Sequence, residues 1–374
     1  MTLPRQHRTP QPPVPVDHDA LRAAVTDRFA SYGIPHRRAR TAATALCHGD
    51  LTGLDSHGVF NLGRLYLPLL DSGRADPVAE PATLTDLGAC VVLDSRRALG
   101  LWAAAEAMDL AVERAGLYGI GLVSVRNATH FGCAGFHTAR AADQGMIGVL
   151  AGNCGGQRIA RPPDGRLAVL GTNPLSVAAP ALTGHPFVLD MSTTVVPTGR
   201  IRAAARRGEP VPEGWLVDEA GVPRTDPEAF DRGEAHLRWL GGAPETGAYK
   251  GFGLGLAVEL LAALLPGAAV GPAPEALQGD GRPHGSDDDI GFLALAVAPE
   301  KLRPDGDFAG AARTLFGTLL ACPPVHEDRP VRYPGWWEAE RARTRRREGI
   351  PLPAHLHEEL TALGVLAPAD GAVR

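Results

Sequence analysis

Lysine is nearly absent from this chain: among 37 basic residues only Lys250 and Lys301 are lysine, the rest arginine. A lysine in a structurally special place is therefore not a routine solvated cation. Cysteine is scarce as well. Cys47, Cys90, Cys133, Cys154 and Cys322 form an odd set with no C-x-x-C spacing, which argues against a disulfide framework or a zinc ribbon and fits a reducing cytoplasm. No apolar run reaches the roughly 18 to 20 residues that span a bilayer, and Met1 to Val16 is Pro-rich without a hydrophobic signal core, so it reads as a disordered tail. A net charge of −5 speaks against nucleic acid or an anionic membrane as the main partner. Signature motifs are missing too: there is no G-x-G-x-x-G, no G-x-x-x-x-G-K-[ST], no G-x-S-x-G and no H-E-x-x-H. A standard Rossmann dehydrogenase, a P-loop enzyme, an α/β-hydrolase and a zincin each lack their fingerprint.

What remains is long and apolar enough, at 374 residues and 44% hydrophobic, for a large core in two lobes. Leu21 to Tyr32 and Arg37 to His48 have helical periodicity and form an N-terminal pair. Asp55 or Ser56 then caps a third helix to about Leu70, on which His57, Asn61 and Arg64 fall at i, i+4 and i+7 on one face. That stripe is either a solvent face or the lining of a site. From Pro77 the texture changes to short strands (89–94, 119–125, 146–151, 175–179, 186–190, 292–298) alternating with helices (101–115, 135–144, 251–265, 308–320), an α/β domain. Two segments rich in Gly, Pro and charge, 206–246 and 267–289, read as surface excursions. Trp336 to Glu348 is a basic helix with Arg341, Arg343, Arg345, Arg346 and Arg347, and the overall charge favours a solvated face over a nucleic-acid patch.

The stretch Asn127 to Gly135 organises the rest. It follows the apolar run Ile120 to Val125 and precedes a helix, so His130 stands on a strand-to-helix turn, where α/β proteins keep reacting groups. Imidazole suits proton transfer at neutral pH; a capping or structural histidine is the alternative. Leu170-Gly171-Thr172-Asn173-Pro174 is a tight turn whose amides and Thr172 hydroxyl suit an anion or carbonyl, or a plain turn. Asp190 to Thr194 ends a strand with a carboxylate and hydroxyls that suit an imidazole or a ribose. Lys250 opens the most apolar helix, a natural phosphate or carboxylate site. His284, Asp287, Asp288 and Asp289 have metal-capable side chains but sit in a Gly/Pro-rich segment, so they read as a solvated loop and no metal is expected.

Seven stretches, Asp55 to Val59, Asn127 to Gly132, Leu170 to Pro174, Val188 to Thr194, Gly214-Trp215 with Asp218 and Gly221, Lys250 to Leu254, and Arg332 to Gly335, occur in one order and spacing. Together they resemble the malate/L-lactate dehydrogenase family, the non-Rossmann group that includes ureidoglycolate and sulfolactate dehydrogenases and Δ1-piperideine-2-carboxylate reductases. The resemblance runs from about residue 18 to 366. It implies a mixed-sheet NAD(P)-binding domain over 77–331, a helical lobe over 17–76, C-terminal helices over 332–374 packing on that lobe, and a homodimer. It implies hydride transfer between NAD(P)H and the 2-position of a 2-oxo or 2-hydroxy acid, with a cyclic 2-imino acid or a larger biosynthetic intermediate as rival substrates. The histidine matching His130 is then the proton donor and acceptor, and Ser56 with His57 a relay. His130, Phe131, Gly132, Asn153, Cys154, Asp190, Met191, Ser192, Thr193, Lys250, Arg332, Pro334 and Gly335 line the cofactor, and Thr172 faces the substrate.

This chain departs from the family pattern at several points. Asn61 stands where many members carry a substrate-holding arginine, with Arg64 one turn on, so both are assigned to the substrate. Ala128 and Cys154 replace serines, and Arg200 occupies the place of an acidic relay residue of some members. A catalytically silent cofactor-binding protein is the remaining rival, and retention of both His57 and His130 weighs against it.

Overall fold

Apolar side chains recurring at helical spacing bury one another at the start of the chain. In the computed structural model, which describes residues 12–368, β1 (Val14–Val16) leads into α1 (His18–Ala30). The Asp17 carboxylate caps α1 by accepting from the Ala20 N–H at 2.8 Å. α2 (His36–Thr52) ends at Gly53, whose φ of 83° is left-handed, and α3 (Leu67–Asp71) follows an irregular turn. Leu21, Val25, Phe29, Leu46, Leu62 and Tyr66 share one core with Ile350, Leu352, Leu356 and Leu360 from the far end of the chain. Segments near both ends of the described chain thus share one helical core.

The sequence then alternates: β2 (Ala82–Asp86), β3 (Cys90–Asp94), α4 (Gly100–Tyr118), β4 (Ile120–Ala128), α5 (Ala134–Asp143), β5 (Ile147–Gly152), β6 (Leu175–Leu182) and β7 (His185–Met191). After α6 (Thr198–Arg207) come the short β8 (Leu216–Val217), β9 (Pro223–Arg224), α7 (Glu228–Asp231) and β10 (His236–Leu237). The chain closes with α8 (Ala248–Glu259), β11 (Ile290–Val297), α9 (Pro299–Leu302), α10 (Phe308–Leu320), α11 (Trp336–Glu348), β12 (Ile350–Leu352) and α12 (Ala354–Ala362). Seven strands form one sheet in the order β2-β3-β4-β11-β5-β6-β7. Only β3 and β4 are parallel, joined by a crossover through α4; the other pairs are antiparallel. The late strand β11 lies between β4 and β5. Such a mixed sheet is not the doubly wound parallel sheet that a G-x-G-x-x-G turn serves, which accounts for the missing fingerprint. Met108, Ala111 and Ala115 of α4 pack on Val91, Val123, Val125 and Phe292 to form the sheet's own core.

Three expectations change. Val14–Val16 is no part of a disordered tail but pairs antiparallel with β12, while the first eleven residues lie outside the described range. The expected helix from Ser56 does not start there, because the Val59 N–H turns to the Asp50 carboxylate at 2.6 Å instead of to the preceding turn. Residues 55–57 form a single 3₁₀ turn, and the helix begins beyond it with a π-turn over Leu62–Tyr66. His57 therefore does not share a continuous helical face with Asn61 and Arg64. The excursion 206–246 carries a small antiparallel sheet with a core of Ile201, Leu216, Phe230 and Leu237. No described helix is long and apolar enough to cross a membrane.

Candidate active site

The β4-to-α5 turn is pinned from every side. Asn127, at a left-handed φ of 55°, donates its amide to Asp289 at 2.6 Å and its side chain to Asp94 at 3.0 Å. The Thr129 hydroxyl accepts from the Gly100 N–H and donates to the Ala98 carbonyl. A Cβ on Gly100 would lie 2.0 Å from the Thr129 carbonyl oxygen, so only glycine lets α4 approach this closely. The Phe131 carbonyl is held by His137 Nε2 at 2.8 Å, and the Gly135 N–H donates to the Asp190 carboxylate at 2.7 Å. Asp190 thus satisfies an α5 amide. Its burial pushes its carboxyl up to about 6.

His130 at the centre of this turn has a determined tautomer. The Gly132 N–H can only donate, and it points at His130 Nδ1 from 3.1 Å. Nδ1 is therefore the acceptor, and the ring proton sits on Nε2. The Tyr66 hydroxyl lies 2.8 Å from the same Nδ1. Nε2 has no protein partner among the described residues. Burial, then the charges of His57 and Arg64, lowers His130 to about 3, so the ring is neutral at pH 7.

The second histidine stacks on the first, with centroids 5.9 Å apart and planes inclined by 24°. Ser56 Oγ sits 2.9 Å from His57 Nδ1, and burial with the Arg64 and Arg200 charges lowers His57 to about 4. Asp50 supports this corner from below. A Cβ on Gly58 would strike its carboxylate at 2.3 Å, and burial pushes the Asp50 carboxyl up to about 7. Arg345 of α11 bonds the Asp50 carbonyl and the Asp55 carboxylate, tying the basic helix to the turn. Asn61 donates to the Ser56 carbonyl at 2.9 Å, and its Oδ1 accepts from Arg64 Nε and Nη2 at 3.2 and 2.8 Å. Arg64 is therefore folded back beside the histidines rather than carried away along a helix. The π-turn aims Arg64 at Asn61 and Tyr66 at His130, a use of such turns common at functional sites.

On the other side of the sheet top, the residues expected at the cofactor mostly turn inward. Asn153 Oδ1 accepts from the Gly155 and Gly291 amides, and its Nδ2 donates to Glu259 and the Ala269 carbonyl. Asn173 donates to Glu259 and the Gly255 carbonyl. Cys154 Sγ is 3.7 Å from the half-exposed Thr172 hydroxyl, while Thr193 bonds the Thr172 carbonyl and Ser192 the Thr194 carbonyl. Met191 ends β7 beside Leu175. Phe131 links the two sides, its ring filling the space above Gly152, whose Cβ would meet it at 2.5 Å. Along β7, the Pro334 carbonyl accepts from the Val188 N–H, Gly335 opens α11 at a φ of 94°, and Arg332 stacks on Trp336 at 4.7 Å.

Asp287 and Asp288 pair with Arg74, and Asp289 accepts from the Asn127 and Ala269 amides. Asp287 and Asp289 are therefore structural clamps while Asp288 stays exposed as in a solvated loop, and no described group of three or more such side chains is placed to hold a metal. Sequence reasoning missed Tyr66, Asp50 and His137. The one usable signal was that a tyrosine inside an apolar helical run needs a partner for its hydroxyl.

A nicotinamide dinucleotide fits what is present. The first turn of α8 has no side-chain cap, and exposed Lys250 at that turn has no acidic partner among the described residues, an arrangement suited to the cofactor's phosphates.

Comparison with known proteins identifies relatives of the whole chain. The malate/L-lactate dehydrogenase family profile matches residues 16–361. A malate dehydrogenase of Pyrococcus abyssi is 38% identical over 256 residues, 68% of this chain and 69% of that protein. An L-sulfolactate dehydrogenase of Methanocaldococcus jannaschii is 31% identical over 337 residues, 90% of this chain and 92% of that one. The crystal structure of a malate dehydrogenase from Entamoeba histolytica superposes with a TM-score of 0.85 at 29% identity, covering 94% of this chain and 97% of the other. The chain belongs to the malate/L-lactate dehydrogenase family and is an NAD(P)-dependent dehydrogenase.

Proposed function

We propose that this dehydrogenase transfers a hydride between nicotinamide and C2 of a 2-oxo or 2-hydroxy acid, with His130 exchanging the proton at the C2 oxygen. The observation that carries this reading is the fixed tautomer of His130, whose Nε2–H has no partner within the described protein while Nδ1 is held by Gly132 and backed by Tyr66. A neutral imidazole that gives up its Nε2 proton to the C2 oxygen takes a replacement proton from solvent, and the Tyr66 phenol, kept protonated by its burial, orients the ring at Nδ1. The bound cofactor supplies or accepts the hydride. Lys250 and the first turn of α8 would hold its phosphates, and the Thr172 hydroxyl, beside Cys154, would face the substrate. Arg64 would hold the substrate carboxylate, with Asn61 positioning the guanidinium rather than binding substrate, because both ends of its amide are used within the protein. Ser56 and His57 would pass protons between the site and solvent.

The homodimer has support on α8 and the turn beyond it. Leu254, Leu256, Leu260, Leu261, Leu264 and Leu265 lie exposed along one face with no charge among them, a surface that a second copy would cover. A reducing cytoplasm is supported by five cysteines with no disulfide.

The deciding experiment is a spectrophotometric screen of 2-oxo acids and cyclic imines with NADH and NADPH. Reduction of at least one 2-oxo acid is expected, and turnover confined to cyclic imines would overturn the oxo-acid reading.

A further inference from the structure

The arginines of the basic helix α11 do not all behave as a solvated face. Arg341 and Arg343 pair with Glu338 and Glu340 one turn back, Arg347 pairs with the adjacent Glu348, and Arg346 is exposed. Arg345 differs. Its side chain is 19% exposed, and its Nη1 leaves the helix to donate to the Asp50 carbonyl and, at 3.2 Å, to the Asp55 carboxylate. That carbonyl is open because α2 ends in a left-handed glycine: the Gly53 and Leu54 N–H groups both turn to the Gly49 carbonyl, and neither reaches Asp50. Arg345 thus satisfies the helix end on which the Ser56–His57 turn is built.

The turn is confined on its other sides as well. A Cβ on Gly49 would lie 2.7 Å from the Gly58 nitrogen and 2.8 Å from the His57 carbonyl carbon, so these residues rest directly on α2. The Asp50 carboxylate takes the Val59 N–H, and Gly199 of α6 closes over Ser56, where a Cβ would come within 3.0 Å of the serine Cβ. The opposite end of α11 is fastened to the sheet. Pro334 accepts from Val188 of the edge strand β7, Trp336 stacks on His185 with centroids 3.9 Å apart, and Arg343 bonds the Gly184 carbonyl at 3.1 Å. The 13 residues of α11, about 20 Å of helix, therefore run from the edge of the sheet to the relay turn. His57 is carried by the helical lobe and His130 by the sheet, so the stacking of their rings at 5.9 Å depends on how those two parts are held together.

We propose that Arg345 is a positioning residue for the proton relay: by joining α11 to the end of α2, it holds the Ser56–His57 turn in register with His130. The inference rests on the proposed relay role of His57 and adds the residue, outside the site, that maintains its geometry. A misplacement of about 1 Å caused from a remote position can cost roughly 10²-fold in rate. A partly exposed ion pair that only ties two helices would change stability slightly and leave the rate alone.

The experiment compares wild type with Arg345→Ala, Arg345→Gln and, as a control on the same helix, Arg347→Ala, using the 2-oxo acid reduced fastest in the screen. Arg345→Ala should lower kcat by roughly ten- to hundredfold while KM for substrate and cofactor stays within about twofold; Arg347→Ala should keep wild-type kcat. In protein with isotope-labelled histidine, the ring signal of His57, assigned by its loss in His57→Ala, should shift in Arg345→Ala because the stacked His130 ring no longer lies at the same place. A folded Arg345→Ala with kcat within about twofold of wild type, a loss carried by KM, an unmoved His57 signal, or an equal loss in Arg347→Ala each overturns the proposal. If Arg345→Ala does not fold, Arg345→Gln, which keeps one N–H for the Asp50 carbonyl, decides: a kcat loss of about threefold or more with KM unchanged supports the proposal, and wild-type kcat overturns it. The relay reading fails separately, through a His57→Ala variant whose kcat stays within about threefold of wild type, and that result would sink both.

Discussion

Two regions at the top of the sheet use similar residues in opposite ways. Around His130 and His57 the backbone is pinned while Nε2 of His130 has no partner and the guanidiniums of Arg64, Arg200 and Arg206 form no ion pair within the described protein, Arg64 meeting only the neutral Asn61 amide. Around the turns after β5 and β6 most side-chain tips are consumed, Asn173 Oδ1 alone among these groups being buried without a partner. Asn153, Asn173 and Thr193 bond amides, carbonyls and the buried Glu259, leaving backbone shape, the Thr172 hydroxyl and Lys250 to meet a ligand. In the proposed reading the first region acts through its side chains. In the second, asparagines that look like ligands hold the loops in shape, since a buried amide with its partners removed would cost about 1 to 3 kcal/mol each.

The comparison breaks most visibly at His130. His130→Ala should lower kcat by roughly 10² to 10⁴ while cofactor affinity stays within about twofold, and initial rates at saturating substrate with a parallel cofactor titration check it. A kcat within about threefold of wild type would remove His130 from the chemistry. On the other side, Lys250→Ala should weaken cofactor binding by about 1.5 to 3 kcal/mol, the range for one charge-assisted hydrogen bond. Unchanged affinity by calorimetry would return the lysine to the surface.

The smallest effect sharpens the comparison, because the catalytic corner has one inward-turned group of its own. Asp50 is buried beneath Gly58 and its carboxyl is raised from 3.8 to about 7. The folded state thus holds a proton that the unfolded chain releases near pH 4, so this contribution is fully present below that pH and is lost as pH rises through about 7. Asp50→Asn keeps an acceptor for the Val59 N–H without the charge. Its melting temperature relative to wild type should therefore move upward as pH is raised from about 5 to 8; a gap that does not change with pH would mean that Asp50 ionises freely in the folded protein.

Local features were legible before any coordinates. The run Ile120 to Val125 became the first six residues of β4, Phe308 to Leu320 became α10 residue for residue, and His130 lies on the turn between strand and helix. Lys250 lies in the first turn of α8, as expected, and is exposed without an acidic partner among the described residues. These follow from periodicity and turn chemistry within about ten residues, which the chain carries whatever surrounds it.

What tertiary structure decided lies at long separation or against local propensity. Tyr66 meets His130 across 64 residues and Arg345 meets Asp50 across 295. β11 enters the middle of the sheet, and β1 finds β12, through pairings that no local pattern encodes. The helix after His57 looked α-helical because its apolar spacing is α-like. A buried aspartate that captures the Val59 amide, and a π-turn that sends Tyr66 inward, changed which residues share a face. Periodicity assumes one uniform helix and lists residue types without their partners. Whether Asn61 binds a substrate or an arginine depends on which donors and acceptors lie within about 3 Å of it, and the π-turn over Leu62–Tyr66, which no apolar spacing announces, brings Arg64 there.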